Sequence, residues 1–180
     1  MKRLLCWILS LCLLLSSAAF AQSIKYQGEV QVGYGFGVGN ISVDRVSAHM
    51  INGARINQYL SAGIGVGLDY YFDDGESYLS LPIYANVKGY LPISGMVNLF
   101  ASLDCGYSVS LSGEEQGGWK ADMKGFLITP AVGASIKIAD SKAINLSVAY
   151  MSQKLAYGRS GGSTTKDNGN AVGLRVGYAF

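Results

Sequence analysis

The sequence has 180 residues with 14 Lys and Arg against 12 Asp and Glu, and 49% of the residues are hydrophobic. Once Lys2 and Arg3 leave with the N-terminal segment described below, 12 basic residues balance 12 acidic ones. Such a neutral chain lacks the clustered basic excess of a nucleic-acid-binding protein. Beyond Ala21, no apolar run approaches the roughly 20 residues of a membrane-spanning helix, because the apolar residues are dispersed at every second position.

The first 21 residues have the organisation of a secretory signal peptide. Lys2 and Arg3 precede an apolar run from Leu4 to Leu15, and small residues then lead to Ala19-Phe20-Ala21. A short basic segment, an apolar run too short to span a membrane and an A-x-A site together define such a signal. We therefore predict a signal peptide at 1–21, export through the general secretory pathway and one domain at 22–180.

After the signal peptide, apolar residues alternate with polar or small ones in eight segments, as in strands that have two different faces. In chain order the segments are 24–39, 45–51, 60–72, 79–88, 98–109, 126–137, 144–151 and 171–180. The alternation is clearest in the first segment and weakest in the second. Because Pro82 has no amide donor, we expect it to lie where strand pairing is interrupted or at a bulge.

The connections between the segments alternate in character. Short turns are predicted at 52–58, 91–96 and 139–142, and polar loops at 73–77, 111–120 and 156–170. An even number of strands with short turns at one end and longer loops at the other predicts a closed antiparallel barrel, with both termini at the short-turn end.

The two faces of the segments differ in chemistry. One carries aliphatic and aromatic side chains, whereas the other carries Gly, Ala, Ser and the charges Lys25, Glu29, Asp69, Lys88, Asp104, Lys137 and Arg175. A soluble barrel of the lipocalin kind would expose the second face to water, and such an exterior would not keep a neutral protein soluble. We therefore predict an all-β fold, an eight-stranded antiparallel transmembrane β-barrel. The charges would lie in the lumen, where glycines leave room for Tyr59, Tyr71, Tyr84 and Phe100.

The last ten residues, AVGLRVGYAF, end on Phe180, with Tyr178, Val176 and Leu174 at alternate positions before it. This strand resembles the closing strand of Gram-negative outer-membrane β-barrels. The segments GVGLDYY, LPIYANVKGY and GFLITPAVG are also similar to that family. Across 22–180 the chain resembles the small barrels of the OmpA transmembrane domain and OmpX-like kind. The resemblance implies a monomer in contact with lipid in the outer membrane. It also implies that the barrel-assembly machinery recognises Leu174, Val176, Tyr178 and Phe180.

Closing the barrel requires the first and last strands to pair antiparallel. If Ile24 lies level with Phe180, then Glu29 meets Arg175 on the lumen face, and we predict an ion pair between them. The other polar side chains predicted for the lumen are Lys25, His49, Asp69, Lys88, Asp104 and Lys137. The lumen of an eight-stranded barrel is just wide enough for side chains, so these groups would obstruct passage.

Together these patterns predict a structural, loop-displaying envelope protein with a side-chain-filled lumen. A narrow small-solute channel is the alternative. If the protein binds an extracellular ligand, the outer loops supply the contacts, with Trp119, Tyr157 and Arg159 as candidates.

A lipid A-modifying enzyme remains a minor alternative, because some small barrels use His, Ser and a carboxylate near the outer rim. Here His49 is the single histidine, Ser47 precedes it, and both have lumen parity. We therefore expect no enzyme. Asp73, Asp74 and Glu76 lack a complete calcium ligand set, and neither a metal nor another cofactor is expected.

Overall fold

The computed structural model of the chain describes residues 24–39, 42–73, 76–112, 115–116, 119–122, 124–159 and 164–180. Within these ranges the chain forms ten strands. They are β1 Lys25–Val38, β2 Asp44–Asn57, β3 Leu60–Asp73, β4 Glu76–Pro92, β5 Val97–Ser112, β6 Glu115–Gln116, β7 Trp119–Asp122, β8 Gly125–Ala139, β9 Lys142–Arg159 and β10 Thr164–Ala179. The predicted signal peptide, 1–21, lies outside the described residues. In the ranges given, no helix is long and apolar enough to cross a membrane.

Eight of the strands close into an antiparallel barrel. Strands β1 to β5, β8, β9 and β10 pair in that order, and β10 pairs with both β9 and β1. The predicted all-β fold of an eight-stranded closed barrel is therefore confirmed. Closure satisfies the backbone donors and acceptors of both terminal strands, which would otherwise form an open edge.

The barrel has two distinct ends. The terminus rim holds Lys25 and Ala179 together with the turns that join β2 to β3, β4 to β5 and β8 to β9. The opposite end, the loop rim, holds the connections from β1 to β2, β3 to β4, β5 to β8 and β9 to β10. Each strand presents alternate residues to the lumen and to the outside: Glu29 and Gln31 are buried, whereas Val30 and Val32 are exposed.

Strand β2 is longer than its sequence pattern predicted. It runs to Asn57, so a turn was predicted at 52–58 whereas the observed turn consists of Gln58 and Tyr59 alone. Its pairing with β1 continues as far as Lys25 opposite Arg55. The backbone hydrogen bonds of β2 are therefore made even beyond the point where apolar and polar residues stop alternating. Tyr59 is 53% exposed at this turn, and its predicted place in the lumen was wrong.

Two predicted polar loops at the loop rim are in large part strand. Segment 111–120 contains the end of β5, all of β6 and the start of β7, which pairs with β6 and with the end of β9. Segment 156–170 contains the end of β9 and the start of β10, which pair with each other from Gly158 and Thr164 onward. Hydropathy did not reveal these extensions, because a strand with polar residues on both faces has no period of two.

Pro82 interrupts the sheet as its missing donor predicts. The β3–β4 ladder passes from the pair Val66 and Ile83 directly to the pair Asp69 and Ser80. On the other side of β4, Pro82 remains in register with Ser108. The interruption is therefore confined to one ladder.

Outward-facing aromatic rings cluster near both rims. At the terminus rim, the Phe180 ring lies 6.5 Å from that of Tyr26 and 6.0 Å from that of Tyr178. Toward the loop rim, Tyr70 and Phe72 meet edge to face at 4.7 Å between ring centroids. Exposed aliphatic side chains occupy the wall between them, an arrangement typical of barrels that face lipid.

Candidate functional site

Polar and charged side chains fill the lumen along most of its length. The buried ones include Glu29, Gln31, Arg45, His49, Asp69, Asn86, Lys88, Asp104, Gln153 and Arg175. Among the charged members, three cations and three carboxylates balance, with His49 in addition. Buried charges are costly unless they are paired, so their partners decide the state of the lumen.

The first ion pair joins strands β1 and β4 across the lumen. Lys88 Nζ lies 2.6 Å from Glu29 Oε2, and both side chains are at most 5% exposed. The Lys88 ammonium also lies 4.7 Å from the centroid of the Phe100 ring, within cation–π range. Glu29 is therefore paired with Lys88, a residue that the sequence placed in the lumen without a definite partner.

A second ion pair joins strands β5 and β10. Arg175 Nη1 lies 2.8 Å from Asp104 Oδ2, and Asn86 donates to the other carboxylate oxygen at 2.6 Å. Both oxygens of Asp104 are thus satisfied by groups on two different strands. This carboxylate ties β4, β5 and β10 together.

The predicted ion pair between Glu29 and Arg175 was wrong. In the seam between β1 and β10, Glu29 lies opposite Ala179, and Arg175 lies opposite Gly33. The seam is therefore displaced by four residues from the predicted register. The cause is barrel shear, which staggers strands along one another by an amount that cannot be read from alternation within either strand.

A hydrogen-bonded cluster surrounds His49. Its Nε2 lies 2.9 Å from Asp69 Oδ1, and its Nδ1 lies 3.0 Å from the Tyr84 hydroxyl. The hydroxyl of Ser47 donates to the Gly33 carbonyl at 3.4 Å instead of contacting the imidazole. Both ring nitrogens have partners and all of these side chains face the lumen, so the geometry offers no histidine-activated nucleophile at the lipid surface.

Arg45 forms a further layer toward the loop rim. Its Nη1 donates to the Tyr71 hydroxyl at 3.0 Å and lies 3.8 Å from Asp69 Oδ2. The Tyr71 hydroxyl in turn donates to Gln153 at 2.7 Å. The sequence reasoning left Arg45 out of the predicted lumen charges. Arg45 lies four residues before His49 on the same strand, so the two side chains face the same side of the sheet. This even spacing predicts that Arg45 also faces the lumen.

Two glycines of β3 make room for this cluster. A Cβ at Gly67 would collide with the His49 ring, and one at Gly65 would collide with the Tyr84 ring. Both large side chains therefore pack directly on the β3 backbone. The glycine-rich lumen face predicted from the sequence has this steric role here.

Free space in the barrel is distributed unevenly. The cavity among Arg45, His49, Asp69 and Arg175 measures about 10 Å³, at the lower limit for holding one water molecule. A second cavity, at the terminus rim, measures about 630 Å³. Lys25 and Lys137, predicted for the lumen, are exposed at that rim and line this larger cavity.

The remaining predicted site residues lie on the barrel wall or beyond it. Leu174, Val176 and Tyr178 face outward on β10, and Phe180 ends the chain at the terminus rim. The loop candidates Trp119, Tyr157 and Arg159 belong to paired strand segments, but their side chains lie outside the described part of the structure. Of the calcium candidates, Asp74 and the side chains of Asp73 and Glu76 also lie outside it. Among the described residues, no group of three or more His, Cys, Asp or Glu could hold a metal ion.

Comparison with known proteins identifies the class of fold. No protein-family model matches the chain, and no curated protein matches it. Neisserial surface protein A matches with a TM-score of 0.64 at 13% identity, over 88% of this chain and 98% of that one. The N-terminal β-barrel domain of Pseudomonas aeruginosa OprF matches with a TM-score of 0.54 at 10% identity, over 88% and 100%. Outer membrane protein AlkL in DMPC bilayers matches with 0.55 at 9% identity, over 86% and 89%. The chain thus has the fold of the small outer-membrane β-barrels.

Proposed function

We propose that the protein is a monomeric integral barrel of the Gram-negative outer membrane that serves as a closed, loop-displaying structural element of the envelope. The observation that carries this proposal is the contrast between an apolar exterior and a lumen closed by paired charges. An exterior of aliphatic side chains between two aromatic clusters suits lipid. A lumen crossed by paired buried charges suits a protein whose role depends on its outer surface.

The packing of the barrel centre supports closure to solutes. The ion pairs Lys88–Glu29 and Arg175–Asp104 join side chains from four different strands, and the cavity beside Arg175 could hold one water molecule at most. Opening a path would require two buried pairs to separate. Separation exposes uncompensated charges in a poorly solvated space and is therefore costly.

Single-channel recording tests this role directly. Purified protein inserted into planar bilayers should give no stable conductance steps, whereas E29A/K88A/D104A/R175A should conduct because it removes both pairs. Slower migration on a detergent gel after boiling shows that both proteins are folded before they are added to the bilayer. Stable steps of similar size in the native protein and the variant would favour the narrow channel instead.

The narrow channel remains the second candidate, and the 630 Å³ cavity favours it, since this cavity brings solvent into one end of the barrel. A lipid A-modifying enzyme has weaker support, because His49 is engaged by Asp69 and Tyr84. Deacylase activity of the purified protein that is lost in His49→Ala would support the enzyme.

We assign the assembly signal to Leu174, Val176, Tyr178 and Phe180. In support, these residues form the outward face of the strand that closes the barrel, and the Phe180 backbone exchanges hydrogen bonds with Gly28 at 2.8 and 2.9 Å. Deleting Phe180 should lower the amount of heat-modifiable protein in the outer-membrane fraction. Recovery of both forms as soluble periplasmic protein would contradict the proposed location.

A further inference from the structure

The 630 Å³ cavity at the terminus rim has a strong excess of positive charge. Its cationic lining residues come from four different strands: Lys25 from β1, Arg55 from β2, Lys137 from β8 and Lys142 from β9. Among the described residues that line it, Asp140 is the one carboxylate. The deeper lumen, by contrast, pairs each of its three cations with a carboxylate. Four cationic side chains against one carboxylate leave the described lining with a net charge of +3.

Two of these cations are direct neighbours in the sheet. Lys25 lies opposite Arg55 in the β1–β2 register. Like charges directly opposite one another destabilise a pair of strands, so this arrangement is unfavourable unless an anion lies between or beside them. The juxtaposition distinguishes the cavity from a set of scattered surface lysines.

Arg55 is held in place by uncharged groups. Its Nε and Nη2 donate to the carbonyls of Asn57 and Gln58 at 3.1 and 2.9 Å, and its guanidinium lies 3.7 Å from the centroid of the Tyr90 ring. None of these contacts cancels the charge of Arg55. The guanidinium is thus pre-oriented at the edge of the cavity with its charge available to a ligand.

A buried amide below the cavity also lacks partners. Asn145 is 3% exposed, and neither its Nδ2 nor its Oδ1 has a hydrogen-bond partner among the described residues. In register it lies opposite Ser135, which lines the cavity, and two residues beyond Ala143, which also lines it. Buried amides are normally satisfied, so this one indicates a polar group or water reaching the cavity floor.

We propose that this cavity is a binding site for a ligand that carries several phosphate charges. Its volume falls in the usual range for small-molecule sites. Ammonium groups on flexible stems bind phosphate as point charges, and cations on four strands match several anionic groups better than one monovalent ion. The phosphates could belong to a soluble compound or to lipid headgroups beside the rim. The inference depends on the barrel geometry and not on the proposed structural role.

Calorimetric titration of inorganic tripolyphosphate into the detergent-solubilised protein tests the soluble source. The variant K25Q/K137Q removes two exposed lumen-side cations and should weaken binding about tenfold, since each such contact contributes about 0.7 kcal/mol. The control K124Q/K154Q makes the same change in net charge at the loop rim and should leave affinity unchanged. Heat-dependent gel mobility establishes that every variant is folded.

Reconstitution tests the lipid source. Protein is taken from vesicles of phosphatidylcholine containing phosphatidylglycerol, and the anionic lipid that it retains is measured by native mass spectrometry. A headgroup ligand predicts that K25Q/K137Q loses retained phosphatidylglycerol while K124Q/K154Q keeps it, and that tripolyphosphate displaces it from the native protein. Two results together would refute the site. The first is that tripolyphosphate binds both variants equally, or binds neither. The second is that both variants retain the same amount of phosphatidylglycerol.

Discussion

At the scale of single residues, the buried ion pairs set the energetics of the lumen. Glu29 and Lys88 are both nearly inaccessible, so removing one partner leaves a charge that water cannot reach. We expect Lys88→Met to lower the free energy of unfolding by about 3 to 5 kcal/mol. The double variant E29Q/K88M should recover part of that loss because it contains no unpaired charge. Urea-induced unfolding in detergent micelles measures both values.

A second double-mutant cycle distinguishes the observed Glu29–Lys88 pair from the Glu29–Arg175 pair that the sequence predicted. The free energy of unfolding is measured for Glu29→Gln, for Arg175→Met and for the double variant, and these values give the coupling energy between Glu29 and Arg175. This energy is compared with the coupling energy between Glu29 and Lys88. We expect the Glu29–Lys88 coupling to be the larger, because these two groups lie 2.6 Å apart. A larger coupling with Arg175 would contradict the observed seam.

The close approach at Gly67 gives another test at this scale. A methyl group there would collide with the His49 ring, so Gly67→Ala should destabilise the barrel by about 1 to 3 kcal/mol through overpacking. The matched control is Gly89→Ala, where the nearest atoms lie 4.0 Å from the added Cβ and the change should stay within about 0.5 kcal/mol. Adding His49→Ala to Gly67→Ala should relieve part of the penalty. Equal unfolding midpoints for the two glycine variants would exclude the steric role.

At the scale of strands, the register between β1 and β10 determines which lumen residues meet. Val32 lies opposite Val176 on the outer face. In a background with Cys105→Ala, V32C/V176C should therefore form a disulfide on oxidation. The control V32C/V172C matches the register first predicted and should not cross-link, because four residues of offset separate its Cα atoms by roughly 13 Å, beyond disulfide reach. Mobility on non-reducing gels measures both, and cross-linking of the control alone would restore the earlier register.

The strands also show which parts of the structure the sequence could predict. Alternation within a strand assigns faces, so the lumen positions of Glu29, Lys88, Asp104 and Arg175 followed from parity. Which of these groups meet depends on shear, a property of the closed barrel that local pattern does not contain. The strand extensions at the loop rim could not be predicted for a related reason. Apolar and polar residues do not alternate there, although the backbone still pairs.

At the scale of the whole molecule, the barrel separates three environments. An apolar wall with aromatic rings near both rims forms the exterior, paired buried charges occupy the centre, and a basic cavity opens at the terminus rim. The cavity and the longer strand extensions lie at opposite ends. In the proposed membrane location, a single orientation therefore determines which compartment meets each of them.

The termini of even-stranded outer-membrane barrels lie on the periplasmic side, which would place the loop rim outside the cell and the basic cavity in the periplasm. An epitope inserted at Gly162, between β9 and β10, should be labelled by antibody on intact cells. The matched insertion at Ser141, in the turn between β8 and β9 at the terminus rim, should be labelled only after the outer membrane is permeabilised. Both tagged proteins must remain heat-modifiable, so that a failed insertion is not mistaken for a hidden one. Labelling of Ser141 alone on intact cells would reverse the orientation, and the basic cavity would then face the cell exterior, where its phosphate ligand would have to be sought.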